Sequence, residues 1–154
     1  MDATPIKQML EQIVPFVKTV GLSIDEVAPG RAVATLGNTR PVQNHLGTVH
    51  AGALYTVGES ATGAVVLAIF MDLLPAGAFI ALKSAVVRHT KAREGDLVAT
   101  ATLEGDGEPS ALAETVRATF DTDGKVDFPV AVSFTVGGTE VAQITYTWAA
   151  RTPR

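Results

Sequence analysis

One carboxylate, Glu59, stands in the middle of the long apolar stretch that runs from Ala51 to Leu74, with Asp72 near its end. Burying an unpaired carboxylate is costly. Burial also raises its pKa towards the range in which it can take a proton from water, the chemistry of a general base. Immediately upstream, Asn44-His45-Leu46-Gly47-Thr48-Val49-His50 leads into Ala51-Gly52. This is an amide and two imidazoles, followed by two small residues at an expected helix entry. A helix N-terminus presents unpaired N–H groups and the positive end of a dipole. Such a terminus suits a developing oxyanion. Ala51 and Gly52 would let a substrate carbonyl approach closely, and the Asn44 amide could supply a further donor. Tyr55, Thr56, Thr62 and Gly63 lie at i−4, i−3, i+3 and i+4 from Glu59. They are expected to form one polar stripe with it, lining a cavity.

The spacing bears on assembly. Ala51 and Glu59 are eight residues apart, about 12 Å along a helix axis. The glutamate leans back towards the N-terminus, but not that far. A base and an oxyanion hole must both lie about 3 Å from the reacting atoms. One helix does not easily serve one substrate with both. Two copies in antiparallel register would, with Glu59 of one facing the helix entry of the other.

Composition narrows the classes. Hydrophobic residues are 47% and charged residues 18% of the 154, enough apolar content for one cored domain over 1–154. A net charge of −4 predicts no general affinity for nucleic acid or an anionic membrane. With no cysteine, disulfides, thiolate metal sites and a cysteine nucleophile are excluded. The N-terminus lacks the pattern of a secretory signal, so a cytoplasmic location is expected. Neither a His-Glu-x-x-His zinc motif nor a Gly-x-Ser-x-Gly elbow occurs, and no metal or redox cofactor is expected. Against the acidic background, Lys83, Arg88, His89, Lys91 and Arg93 form the densest basic cluster. Phosphates attract such residues, Arg88, Lys91 and Arg93 foremost.

Positioning these groups requires a particular order of elements. Ile6, Met9, Leu10, Ile13, Val14 and Val17 recur at helical spacing over Met1–Val20, with Pro15 as a kink. Leu22–Leu36 reads as extended chain interrupted at Ala28-Pro29-Gly30. The apolar helix spans about His50 to Leu74 and ends at Pro75 and Gly77. Its central carboxylate favours burial in a protein core over a membrane span. Strands are expected at Phe79–Thr90, Leu97–Glu104, Ala111–Thr122, Phe128–Val136 and Val141–Ala149, joined by short turns as an antiparallel meander. Asp121-Thr122-Asp123-Gly124 reads as a hairpin turn rather than a calcium loop. Trp148 reads as a strand or interface residue. A curved sheet wrapped around the apolar helix, an α+β architecture with an N-terminal helix, satisfies the pattern.

The stretch Asn44–Glu59, with Gly47-Thr48-Val49-His50-Ala51-Gly52 at its centre, resembles the active-site segment of hotdog-fold thioesterases. The branch is the one related to phenylacetate-pathway and mitochondrial-type acyl-CoA thioesterases. That resemblance implies hydrolysis of an acyl-CoA or similar thioester by water. Glu59 would be base or nucleophile, Asn44 and the Ala51 N–H would hold the oxyanion, and His50 would position the site. Gly52, Tyr55, Thr56 and Thr62 would line the substrate path, and the loop carrying Arg88, Lys91 and Arg93 would meet the nucleotide of coenzyme A. It also implies a site shared between two subunits of a homodimer, with dimers of dimers common. Two residues depart from the pattern, Ala51 where a glycine is frequent and Glu59 where an aspartate is. A hydroxyl that holds water on the next strand aligns with Ala81, leaving Ser84 as a substitute. A non-catalytic module binding acyl-CoA or a fatty acyl ligand is the alternative. Hotdog dehydratases and hydratases set a histidine against the acid in a different motif.

Overall fold

The computed structural model describes residues 4–153; the first residues of the expected N-terminal helix, 1–3, lie outside them. Helix α1 covers Thr4–Ile13 and α2 covers Pro15–Val20. The break between them falls at Val14, because Pro15 cannot continue the ladder and instead opens the next helix. Strands β1 (Ser23–Ala28) and β2 (Arg31–Leu36) form a hairpin. Gly30 turns it with φ +73°, and a Cβ there would strike the backbone of Pro109.

Helix α3 runs Ala51–Phe70 and continues as a 3₁₀ turn over Met71–Leu73. Five further elements follow: β3 (Phe79–His89), β4 (Leu97–Leu103), α4 (Pro109–Asp123), β5 (Lys125–Val136) and β6 (Thr139–Arg151). The six strands make one antiparallel sheet in the order β1-β2-β4-β5-β6-β3. One face of the sheet closes on α3. Alternate residues Phe128, Val130, Val132, Phe134 and Val136 of β5, with Ile144 and Tyr146 of β6, are buried against it. The curved sheet around a central apolar helix is the hotdog fold. Long and apolar enough to cross a membrane, α3 is mostly buried inside this sheet.

Two expectations about the second half are corrected. Ala111–Thr122 is helix, not strand. Leu112, Val116 and Phe120 repeat every four residues, Pro109 occupies the first turn, and Gly124 closes the helix in the left-handed region at φ +67°. The threonines that lend the stretch its β character are accommodated by back-bonding: Thr115, Thr119 and Thr122 each donate to the carbonyl four residues earlier. Asp121-Thr122-Asp123-Gly124 is therefore a helix end rather than a hairpin turn. The strands are also not a simple meander. β3 leaves the sequence order and pairs only with β6, at the far edge from β1.

Candidate active site at the entry to the central helix

The loop before α3 is held by Asn44. Its Oδ1 accepts from the N–H groups of Leu46 (2.9 Å) and Thr48 (3.2 Å), and its Nδ2 donates to Thr48 Oγ1 at 2.8 Å. Gly47 makes the turn with φ +74°. An asparagine used this way shapes a loop before it can serve a ligand, with one amide hydrogen remaining for a substrate. His50 is the N-cap of α3: its Nδ1 accepts from the Gly52 N–H at 2.9 Å. The imidazole thus occupies one of the donors that the helix entry was expected to offer. The Ala51 N–H has no hydrogen-bond partner among the described residues. It is the donor left to a substrate.

Glu59 lies two turns on, half-buried, and its carboxylate has no hydrogen-bond or ion-pair partner among the described residues. Burial pushes the carboxyl up from its ordinary value. Tyr55, one turn earlier on the same face, is raised by burial and then by the negative charge of Glu59. Tyr146 is fully buried behind it. Its hydroxyl donates to the Tyr55 carbonyl at 2.7 Å, and the two rings meet at 5.3 Å. A turn of α3 is seated unusually close to the sheet here. A Cβ on Gly58 would fall 2.4 Å from both Phe134 Cζ and Tyr146 Oη.

Two clefts flank the helix entry. One, of about 420 Å³, is lined by Asn44, Thr48 and Ala51 together with His89 at the end of β3 and Lys91 and Arg93 from the segment after it. The other, of about 480 Å³, lies between α2 and the first turns of α3 and includes His50, Gly52 and Thr56. Asn44, His50, Ala51, Gly52, Thr56, Lys91 and Arg93 therefore gather around one helix end, while Tyr55 and Glu59 lie further along α3 and line neither cleft.

Three further expected residues stand apart from the site. Thr62 is fully buried, donating to the Glu59 carbonyl at 2.8 Å and accepting from Trp148 Nε1 at 3.0 Å, so it braces the helix against β6 rather than lining a cavity. Ser84 is opposite Thr147 and Arg88 opposite Gln143. These partners alternate with Tyr146 and Ile144, which face α3, so both residues point to the outer face of the sheet. The bulge between Leu82 and Ser84 sets this register. Conversely, His89 is opposite the buried Ala142 and lines the first cleft. Strict alternation read back from Lys91 and Arg93 would have favoured it over Arg88.

A curved sheet around a helix whose N-terminus carries the polar groups defines a hotdog-fold protein. The chain belongs to the family described as a domain of unknown function, DUF4442, whose pattern matches residues 3–150. Among curated proteins, none matches it. Similar solved structures include a Pseudomonas aeruginosa protein of unknown function described as a probable thioesterase, at 21% identity and TM-score 0.78, covering 99% of this chain and 97% of that one. A thioesterase family protein from Silicibacter pomeroyi has 20% identity and TM-score 0.70, with 98% of each chain covered. A mutant of the phenylacetic acid degradation protein PaaI from Thermus thermophilus has 19% identity and TM-score 0.63, covering 89% and 98%. At these identities the likeness is one of fold.

Proposed function

We propose that this chain hydrolyses an acyl-CoA or similar acyl thioester, with Glu59 as general base and the Ala51 N–H as oxyanion donor. The observation that carries the reading is that one helix bears both an unpaired entry N–H and, two turns further on, an unpartnered, half-buried carboxylate, each open to a second copy of the chain. A water gives its proton to Glu59 while its oxygen attacks the thioester carbonyl. The negative charge on the carbonyl oxygen is met by the Ala51 N–H and the remaining Asn44 amide hydrogen. Collapse breaks the C–S bond, and the departing thiolate takes the proton back from Glu59. Lys91 and Arg93 give the adjoining cleft the charge for the phosphates of coenzyme A, and His89 lines it beside them. The thioesterase descriptions of the similar folds agree with this chemistry. No metal or redox cofactor takes part in these steps, and a cytoplasmic location fits the substrate.

The site is proposed to be completed by a second copy. β3 ends the sheet with an unpaired edge, and Phe79 and Val86 on it are exposed. A long apolar edge strand is the kind of surface a homodimer covers. Pairing there would bring the open side of one α3 towards the other and place Glu59 across from the partner's helix entry. A dimer of dimers is the next level of the same proposal.

Thiol release from a panel of acyl-CoAs, by the wild type and by Glu59→Gln, tests the reading. The expected result is turnover of at least one member, lost on the order of a hundredfold or more in the variant. A second reading has its own support: Asn44 is tied into its loop, and the β3 residues facing α3, Leu82, Ala85 and Val87, carry no hydroxyl to hold a water. Tight binding of acyl-CoA without turnover by the wild type would make the protein an acyl-CoA-binding module.

A further inference from the structure

We propose that the phenol of Tyr55 holds the attacking water beside Glu59, supplying from α3 the hydroxyl that the inner face of β3 lacks. This rests on the thioester reading above and names the group that would place the nucleophile in it. Between Leu54 and Phe70 only Tyr55, Glu59 and Ala68 are not buried. Ala51, Tyr55 and Glu59 follow one another at four-residue intervals. The entry N–H, the phenol and the carboxylate therefore share one open strip of the helix. A helical side chain leans towards the N-terminus, so Glu59 reaches back along that strip to the turn of Tyr55.

The other hydroxyls around Glu59 are spent. Thr56 is buried and donates to the Gly52 carbonyl at 2.9 Å. Thr62 is held between the Glu59 carbonyl and Trp148, and Tyr146 is committed to the Tyr55 carbonyl. The Tyr55 hydroxyl has no hydrogen-bond partner among the described residues. Its ring is steadied from the sheet side by the Tyr146 ring at 5.3 Å. A phenol accepts a hydrogen bond as well as donating one. A water that gives one hydrogen to the Glu59 carboxylate and the other to Tyr55 Oη keeps a lone pair for the thioester carbon. As the C–O bond forms, the first proton passes to Glu59, and from there to the sulfur when the C–S bond breaks. Tyr55 begins and ends neutral. Burial, and then the charge of Glu59, push its ionisation up, so it keeps its proton where Glu59 is charged and acts by holding the water.

The test is Tyr55→Phe, which keeps the ring against Tyr146 and removes only the hydroxyl. On the acyl-CoA that the wild type turns over best, kcat is expected to fall roughly ten- to a hundredfold. KM should stay within about twofold, the pattern of an interaction made only in the transition state, and the thermal midpoint should hold. A second measurement needs neither turnover nor that variant. The chain has two tyrosines, and burial keeps Tyr146 far above the ordinary range. The tyrosine that titrates in NMR of ring-labelled protein is therefore Tyr55, and Glu59→Gln should lower its pKa. An unchanged kcat in Tyr55→Phe, a rise in KM alone, or a Tyr55 titration indifferent to Glu59→Gln would each overturn the water-holding role and leave the thioester reading standing. Wild type inert on every acyl-CoA would overturn both.

Discussion

The first and second halves of α3 have similar composition and opposite surroundings. From Ala61 to Phe70 nearly every residue is buried: Leu10 of α1 lies over Gly63, Phe70 meets Phe120 of α4 edge-on at 5.3 Å, and Phe128 closes the far side. The end is sealed by Arg117, which donates to the Ile69 carbonyl at 3.0 Å and pairs with both oxygens of Asp72. From Ala51 to Glu59 the inner side is packed as tightly, but the outer side has no such cover, and Ala51 and Gly52 are exposed. The single charged residue of the helix stands in that uncovered half. Apolarity alone thus does not say which part of a helix is core. The elements packed on its outer arc decide it, and the gap in them is where chemistry becomes affordable.

The largest expected effect breaks the open half at its carboxylate. Glu59→Gln should abolish most thioester turnover while raising stability at neutral pH. The sign follows from the raised pKa: the folded state holds the Glu59 proton more tightly than the unfolded chain. Wild-type stability therefore falls, relative to the variant, as pH rises from below the ordinary value of 4.5 through the raised one. Thermal midpoints of both proteins between pH 4 and 8 measure this. The turnover of the wild type should rise across the same window, as the base loses its proton.

Gly58→Ala probes the packed inner side that both halves share. With 2.4 Å available to a Cβ against Phe134 and Tyr146, overpacking should cost about 1–3 kcal/mol. Urea unfolding reads this, and an unchanged midpoint would mean that the helix can lift from the sheet. A smaller effect is expected from Lys91→Ala with Arg93→Ala. The KM for acyl-CoA should rise roughly tenfold, equal to about 1.4 kcal/mol, and its dependence on salt should weaken. An unchanged KM would move the nucleotide elsewhere. Arg117→Ala opens the sealed end and should cost about 1 kcal/mol, since the ion pair is partly exposed. Thermal melting checks it, and turnover should not follow.

Much of the open half was legible because its signals are local. A carboxylate amid apolar residues, small residues after a histidine, and a turn glycine each have meaning within a few positions: Asn44, His50 and Ala51 fall at one helix end, and Glu59 two turns further along the same helix. What was not legible depends on neighbours distant in sequence. The threonines of α4 favour strand until their hydroxyls find the carbonyl one turn back, and the helix earns its place by putting Ala113 and Phe120 on the core. Ser84 and Arg88 were expected at the site, but the bulge in β3, fixed by pairing with β6, turns them to the outer face. Thr62 reads as polar lining until Trp148, far along the chain, claims its hydroxyl.

By itself, the sequence determined the long central helix, its entry loop, the strands around it other than the one expected at Ala111–Thr122, and the presence of a carboxylate with no partner nearby in the chain. Periodicity, turn chemistry and the cost of burying charge act over one or two turns of backbone. Only the tertiary structure decided that β3 sits at the sheet edge beside β6, that Asn44 and the Gly52 N–H are partly spent on holding the loop and the helix cap, and that two clefts flank the helix entry. Those outcomes depend on which faces meet across the fold. A pattern that repeats every two or four residues specifies a face, but not what will cover it.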